Sequence, residues 1–238
     1  MIDAFTITTK LPTVKRHNIY KVDTETMRKL YWLTGAAATE PTPKHCLDSI
    51  RVDADPDNDE LIDLVGTDGN RLHRWKRAPL LPFGLGTFLI VKRTKSELIL
   101  CKDDTAKFPK WRKVIPDGPT LEVGEFGYCK RQIIYPCPSP VSCASRILGH
   151  HAVHVWQHQG EIGCVHMPFL VDLFAPFPSV SWVLRVSPKE GAPLQLRARF
   201  GIMGKDDGMT ALIMPMQPQT GGNADDVNAY NDNPEATP

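Results

Sequence analysis

Glu60-Leu61-Ile62-Asp63-Leu64-Val65-Gly66, then Thr67-Asp68-Gly69-Asn70, then Arg71-Leu72-His73-Arg74-Trp75-Lys76 follow one another without a break, and their reading decides the fold. The outer stretches are dense in aliphatic and aromatic residues at strand length, and the four residues between them are turn formers. Glycine reaches a backbone conformation that other residues resist, so the turn predicts a hairpin that presents Arg71 and Leu72 at its exit. Upstream, Cys46–Val52 reads as another strand, joined to this one by the acidic turn Asp53-Ala54-Asp55-Pro56-Asp57-Asn58-Asp59. Downstream, Phe88–Lys92 and Glu97–Cys101 are two further short strands.

Before them, residues 22–38 form the clearest helix: Asp23 or Thr24 caps it, and Met27, Leu30, Tyr31 and Thr34 fall on one stripe. Pro41 and Pro43 close it off. After Pro116-Asp117-Gly118-Pro119 the texture repeats: an alternating run at Ala152–His158, a short helix at Pro168–Phe174, and strands at Leu194–Phe200 and Met209–Met214 joined by a turn at Lys205-Asp206-Asp207-Gly208. The pattern predicts an α+β protein of two consecutive units, residues 1–117 and 118–217. Residues 218–238 are polar and nearly devoid of bulky apolar groups; such a segment cannot offset its ordering entropy, so a disordered acidic tail is expected.

Composition narrows the function classes. The chain has 238 residues, 28 Lys+Arg against 27 Asp+Glu, and 42% hydrophobic content. That excludes a wholly disordered chain and a polybasic nucleic-acid arm. Residues 218–238 hold Asp225, Asp226, Asp232 and Glu235 and no Lys or Arg, so residues 1–217 carry +5. No apolar run reaches the ~18 residues of a membrane span. Met1–Phe5 has no export-signal pattern, and the six cysteines contain no CxxC pair. A cytoplasmic protein with reduced thiols is expected.

Candidate chemistry is weighed site by site. The acidic turn has Asn58 and Leu64 where a calcium loop needs glycine and a bidentate acid, so a solvated hairpin turn is the better reading. His150, His151, His154, His158 and His166 with Cys143 and Cys164 invite zinc, but no two ligand doublets have zinc spacing. Gly84-Leu85-Gly86 and Gly204-Lys205 lack the remaining residues of nucleotide-binding loops. No catalytic constellation, cofactor or metal site is predicted. A metal-dependent enzyme built on the His/Cys cluster is carried only as a minor alternative.

What stands out is apolar and lies near turns: the Thr67–Leu72 bend, Phe108-Pro109-Lys110-Trp111-Arg112-Lys113-Val114-Ile115-Pro116, and Ala211-Leu212-Ile213-Met214-Pro215-Met216. Each alone reads as a connector or an edge strand. Together they resemble one family, the bacterial DNA polymerase III β subunit, or sliding clamp. Its middle domain carries an "ATDGHRL" turn, matched by Gly66–Leu72; its last domain is entered by "FPDYRRVLP", matched by Phe108–Pro116; it ends in "VVMPMRL", matched by Leu212–Gln217. A fourth likeness pairs Ile162–Leu173 with the strand–helix "IGFNVSYVLDVL". The four occur in the family's order and span about residues 20–217, the family's middle and last domains. Asn70 stands in place of a His, Lys113 and Gln217 in place of Arg. The chain between Val91 and Phe108 is too short for the family's middle domain, and Pro136, Pro138 and Pro140 interrupt where a helix would run.

The resemblance implies two clamp-like domains, the first trimmed, and a non-enzymatic replication processivity factor without a cofactor. It implies a peptide-binding pocket at the domain junction built from Leu47, Thr67, Gly69, Arg71, Leu72, Pro109, Lys113, Val114, Leu212, Ile213, Met214, Pro215 and Met216. Its partners would be double-stranded DNA, enclosed without sequence preference, and the clamp-binding peptides of a polymerase and a clamp loader. Clamp rings contain six domains, so a two-domain chain would close as a trimer, and Arg28 and Lys29 on the first helix would face DNA. The alternative is a clamp-like module that keeps the pocket but forms no ring.

Overall fold

The computed structural model describes residues 5–11, 14–40, 45–116, 121–129, 132–134, 146–147, 150–158, 161–174, 176–177, 180–186, 193–200 and 205–214. The first half contains β1 (Phe5–Leu11), β2 (Val14–Val22), α1 (Thr24–Thr34), β3 (Ser49–Asp55), β4 (Asn58–Thr67), β5 (Arg71–Pro79), β6 (Gly86–Arg93) and β7 (Glu97–Lys102), followed by a 3-10 turn at Trp111–Val114. The second half contains β8 (Leu121–Cys129), β9 (Gln132–Ile134), β10 (Arg146–Ile147), β11 (His150–His158), β12 (Glu161–His166), α2 (Met167–Phe174), β13 (Ser181–Val186), β14 (Leu194–Phe200) and β15 (Lys205–Ile213). The α+β expectation is met. The proline-broken stretch 135–145 and the tail 218–238 lie outside the described residues, as do the His and Cys side chains of the residue 143–166 cluster. Among the described residues no group of three His, Cys, Asp or Glu is placed to hold a metal.

One twelve-stranded sheet runs through both halves in the order β2-β1-β7-β6-β3-β4-β5-β15-β14-β13-β8-β9, and β10-β11-β12 form a small second sheet. Pairing is antiparallel except between β1 and β7. The halves join at β5 and β15, where Trp75 faces Met209 and Leu72 faces Leu212. Both helices bury their apolar stripes in one core that crosses this seam. Trp32 of α1 stacks on His73 at 4.3 Å between ring centroids and meets Trp182 of β13 at 5.7 Å. α1 starts where Asp23 accepts the Thr26 amide at 2.8 Å, satisfying a donor that the helix itself leaves open.

One expectation is corrected. Lys205–Gly208 is not the hairpin turn: these residues belong to β15, whose pairing with β14 slips between Arg197 and Arg199. Gly208 sits in that bulge at φ +74, so glycine marks a strand irregularity rather than a chain reversal. Strands β1 and β2 were not anticipated; their signal is the β-branched alternation Thr6-Ile7-Thr8 and the later Ile19-Tyr20. Ile7 is fully buried, which makes β1 part of the core.

Candidate functional site: an apolar cleft at the sheet seam

Strand alternation places two kinds of residue at the seam. Leu72 and Leu212 face each other on the side of the sheet away from the helices, where they form a small second core with Val65 and Trp111, flanked by Phe108 and Ile115. His73, Ala211 and Ile213 point the other way, into the main core or against α1. The pleat has period two, so Leu212, Ile213 and Met214 cannot all line one pocket. Ile213, expected in the pocket, is fully buried in the main core instead.

Above the second core opens a cleft of about 270 Å³ lined by His45, Leu47, Thr67, Gly69, Asn70, Arg71, Leu72, Pro109, Lys110, Trp111, Val114, Pro193, Leu212 and Met214. Of the pocket residues that the resemblance implies, Leu47, Thr67, Gly69, Arg71, Leu72, Pro109, Val114, Leu212 and Met214 line this cleft. Lys113 is not in the lining: in a 3-10 turn residues three apart eclipse, so Trp111 and Val114 share the cleft side and Lys113 projects elsewhere into solvent. Lys110 supplies a cation instead. Pro215 and Met216 lie outside the described residues. His45, Asn70, Lys110, Trp111 and Pro193 line the cleft without having been expected there. For Trp111 a signal existed, since an indole between two prolines in a basic connector has nowhere apolar to go but a neighbouring surface.

The walls are held by short polar contacts. In the bend, Asp68 Oδ1 accepts the amides of Asn70 (2.9 Å) and Arg71 (3.0 Å), and Thr67 Oγ1 donates to the Arg71 carbonyl at 2.6 Å. Gly69 takes φ +94 beside Leu47. The Met214 amide donates to the Asn70 carbonyl at 2.8 Å, which fixes the end of β15 against the bend. The connector docks through Trp111, whose Nε1 donates to Asp53 Oδ2 at 3.0 Å, while Arg112 reaches the same oxygen at 3.1 Å. Burial pushes the Asp53 carboxyl up, but hydrogen bonds from Arg51 and Trp111 and the charges of Arg51 and Arg112 outweigh it and hold Asp53 below the usual carboxylate range. Two exposed apolar groups, Val114 at 47% and Met214 at 41%, sit on the lip.

Arg71 was expected as a rim cation for a partner. Its guanidinium is already committed: Nη1 donates to Asp172 of α2 at 2.7 Å, Nη2 to the Gly35 carbonyl at 2.9 Å and Nε to Asp68 at 3.0 Å, with the Phe169 ring 4.6 Å away. It ties the bend to the C-terminus of α1 and to α2 across the seam. Arg71→Lys is therefore expected to destabilise almost as much as Arg71→Ala, by about 2–3 kcal/mol in chemical denaturation, because an ammonium cannot reproduce a planar fork with three partners. Recovery of wild-type stability by the lysine variant would refute this role.

The DNA-facing expectation divides. Lys29 is 5% exposed; its ammonium pairs with Glu25 at 2.9 Å and lies 5.0 Å from the Trp75 ring centroid. A buried, paired ammonium cannot reach a phosphate, and Lys29 is withdrawn from that surface. Arg28 is exposed and borders a second, polar cleft of about 370 Å³ with Thr24, Tyr31, Arg93, Lys95, Asp172 and Pro176.

No protein-family description and no curated protein sequence matches the chain. Its fold is similar to solved bacterial β sliding clamps. The DNA polymerase III subunit beta of Borrelia burgdorferi aligns over 87% of this chain and 70% of its own, at 12% identity and a TM-score of 0.49. The beta subunit of Thermotoga maritima aligns over 84% of this chain and 65% of its own, with 14% identity and a TM-score of 0.48. That of Caulobacter crescentus covers 83% and 65%, with 15% identity and a TM-score of 0.48. The chain therefore spans about two thirds of the length of these clamps.

Proposed function

We propose that this chain is a compact DNA sliding clamp, a processivity factor that encloses duplex DNA and tethers a polymerase through short peptides docked in the seam cleft. The observation that carries this reading is the convergence of Leu72, Val114 and Met214, from three segments far apart in sequence, on one apolar cleft. At about 270 Å³ the cleft is at the small end of ligand pockets, a size for one or two anchoring side chains rather than a whole cofactor. Each buried Leu or Phe of a partner would contribute ~1.5–3 kcal/mol, so two anchors and a few backbone hydrogen bonds reach micromolar affinity, about −8 kcal/mol.

In this reading residues 1–117 and 118–217 are successive clamp-like units joined through β5 and β15. The near-balanced charge supports enclosure over tight contact, because a protein held on DNA by phosphate contacts needs many cations. Arg28 remains a candidate for the DNA side. The long sheet ends at β2 and β9, and strand edges at opposite ends of one sheet suit head-to-tail closure into a ring, with three copies supplying six domains.

A fluorescent clamp-binding peptide titrated against the protein tests the cleft. The double substitution Met214→Ala, Met216→Ala is expected to weaken binding at least tenfold, and equal binding by both proteins would sink the pocket. Retention on circular but not linearised DNA at high salt tests the ring. Peptide binding by a protein that light scattering shows to be a monomer would leave a clamp-like module without a ring.

A further inference from the structure

The polar cleft beside α1 gathers cations that the fold leaves without a counter-ion. α1 brings Thr24, Arg28 and Tyr31 to it, the end of β6 and the turn after it bring Arg93 and Lys95, and α2 brings Asp172. Elsewhere in residues 1–117, each arginine with a described side chain has a carboxylate within 3.3 Å: Arg51, Arg71, Arg74, Arg77 and Arg112. Among the described residues, Arg28, Arg93 and Lys95 have no carboxylate within ion-pair distance, 4.0 Å. Asp172 is the one carboxylate in the lining, and Arg71 already holds its Oδ2 at 2.7 Å. Arg93 is fixed but not neutralised: its guanidinium lies 4.1 Å from the Tyr31 ring centroid, and Nε donates to the Tyr31 carbonyl at 3.2 Å. Burial outweighs the attraction of Tyr31 and Asp172 and, with repulsion from Arg71, holds the Arg93 guanidinium below its usual range. We infer that this cleft binds a phosphate group, with Arg28, Arg93 and Lys95 as its counter-charges.

The chemistry of the lining selects that ligand. Three cations and one committed carboxylate leave it at +2, and a phosphate offers matching negative charge on several acceptor oxygens. A carboxylate has one charge and two oxygens, enough for a single guanidinium fork. Two planar forks from different walls suit the tetrahedral anion. At about 370 Å³ the cleft has the size of a small-molecule site, so the rest of a nucleotide has room beside its phosphate. Capping of α1 by Arg93 explains less, because it uses Nε alone and gives Arg28 and Lys95 no part. The phosphate can belong to a DNA backbone or to a free phosphate compound. Enclosure of DNA asks for no discrete phosphate contact, so this proposal goes beyond that reading and stands without it.

Two probes on the full chain separate the sources. Inorganic phosphate is titrated while NMR follows the Nε–Hε resonances of Arg28 and Arg93, and a short fluorescent DNA duplex is titrated over a series of salt concentrations. Arg28 and Lys95 are exposed and unpaired, so Arg28→Gln and Lys95→Gln should fold as the parent does, which thermal unfolding checks. Each is expected to weaken phosphate binding about three- to tenfold. Each should also lower the slope of log K against log salt for the duplex by about 0.9. Lys107→Gln removes an exposed charge outside the cleft and should change neither. Losses with inorganic phosphate alone assign the site to a free phosphate compound, losses with the duplex alone to a DNA backbone, and losses with both to a phosphate from either source. Absence of saturable binding with both probes overturns the proposal, as does equal weakening by Lys107→Gln. So does a glutamate-rich peptide that binds through Arg28 and Lys95 as tightly as either probe, which would make the cleft a protein-docking surface. Any of these failures leaves the labelled-peptide result at the seam cleft and the retention test on circular DNA as they stand.

Discussion

Gly208→Ala is expected to lower the free energy of unfolding by about 3 kcal/mol or more, a large effect for a single methyl group. Two causes add. Gly208 has φ +74, a left-handed conformation that costs a residue with a Cβ about 1–2 kcal/mol. A Cβ there would also lie 2.1 Å from the Lys76 carbonyl oxygen and 3.1 Å from its carbon, and these are backbone atoms of β5 that cannot swing aside. Relief requires β15 to move away from β5, at the pairing that joins the two halves of the sheet and sets Leu212 opposite Leu72. Gly84 provides the control. It has φ +77 but nothing within 4 Å of an added Cβ, so Gly84→Ala should cost only the backbone term, about 1–2 kcal/mol. Urea unfolding of both variants measures the difference. Equal losses would mean that the seam tolerates separation, and the cleft geometry derived from it would lose its support. Because the same pairing positions the cleft floor, the alanine variant should also bind the labelled peptide more weakly.

Acid should destabilise the protein earlier than its carboxylates alone would require. His73 is completely buried, stacked on Trp32, with Nδ1 2.8 Å from the Trp32 carbonyl oxygen and, among the described residues, no partner for Nε2. A second proton would place a charge in the core and an unmatched N–H on Nε2. Burial first, and then the nearby cations Arg71 and Arg93, outweigh the bond to Trp32 and push His73 down to about 3 from 6.5. The folded state thus holds a neutral imidazole that the unfolded chain protonates below about pH 6.5. The unfolded state binds the extra proton, so stability is lost as pH falls from 6.5 and the loss is complete near pH 3. Between pH 6.5 and 5 it amounts to about 1.5–2 kcal/mol, approaching 1.4 kcal/mol per pH unit. That window lies above the range in which Asp23, Asp53 and Asp103, all shifted down, contribute their own acid sensitivity. His73→Phe keeps a ring against Trp32 and removes the titration. Its stability should vary less between pH 6.5 and 5 by the same 1.5–2 kcal/mol, and an unchanged pH slope would show that His73 is charged or exposed in the folded protein.

Local chemistry made much of this protein legible from its residues alone. The Thr67–Asn70 bend, the Asp23-capped helix and the Leu194–Phe200 strand were readable because capping, turn and alternation signals act over a few residues. Nine of the expected cleft residues were named through the family resemblance, eight of them on three linear segments that each carry an apolar group next to a turn, and Leu47 outside those segments. What only the tertiary structure decided was direction and commitment. Ile213 is as apolar as its neighbours but faces the other side of the sheet. Arg71 and Lys29 look like free cations in a string of letters, yet one is held by Asp68, Gly35 and Asp172 and the other by Glu25 beside Trp75. Those partners lie up to a hundred residues away, and whether a charge is available to a ligand depends on what the folded chain has already placed beside it.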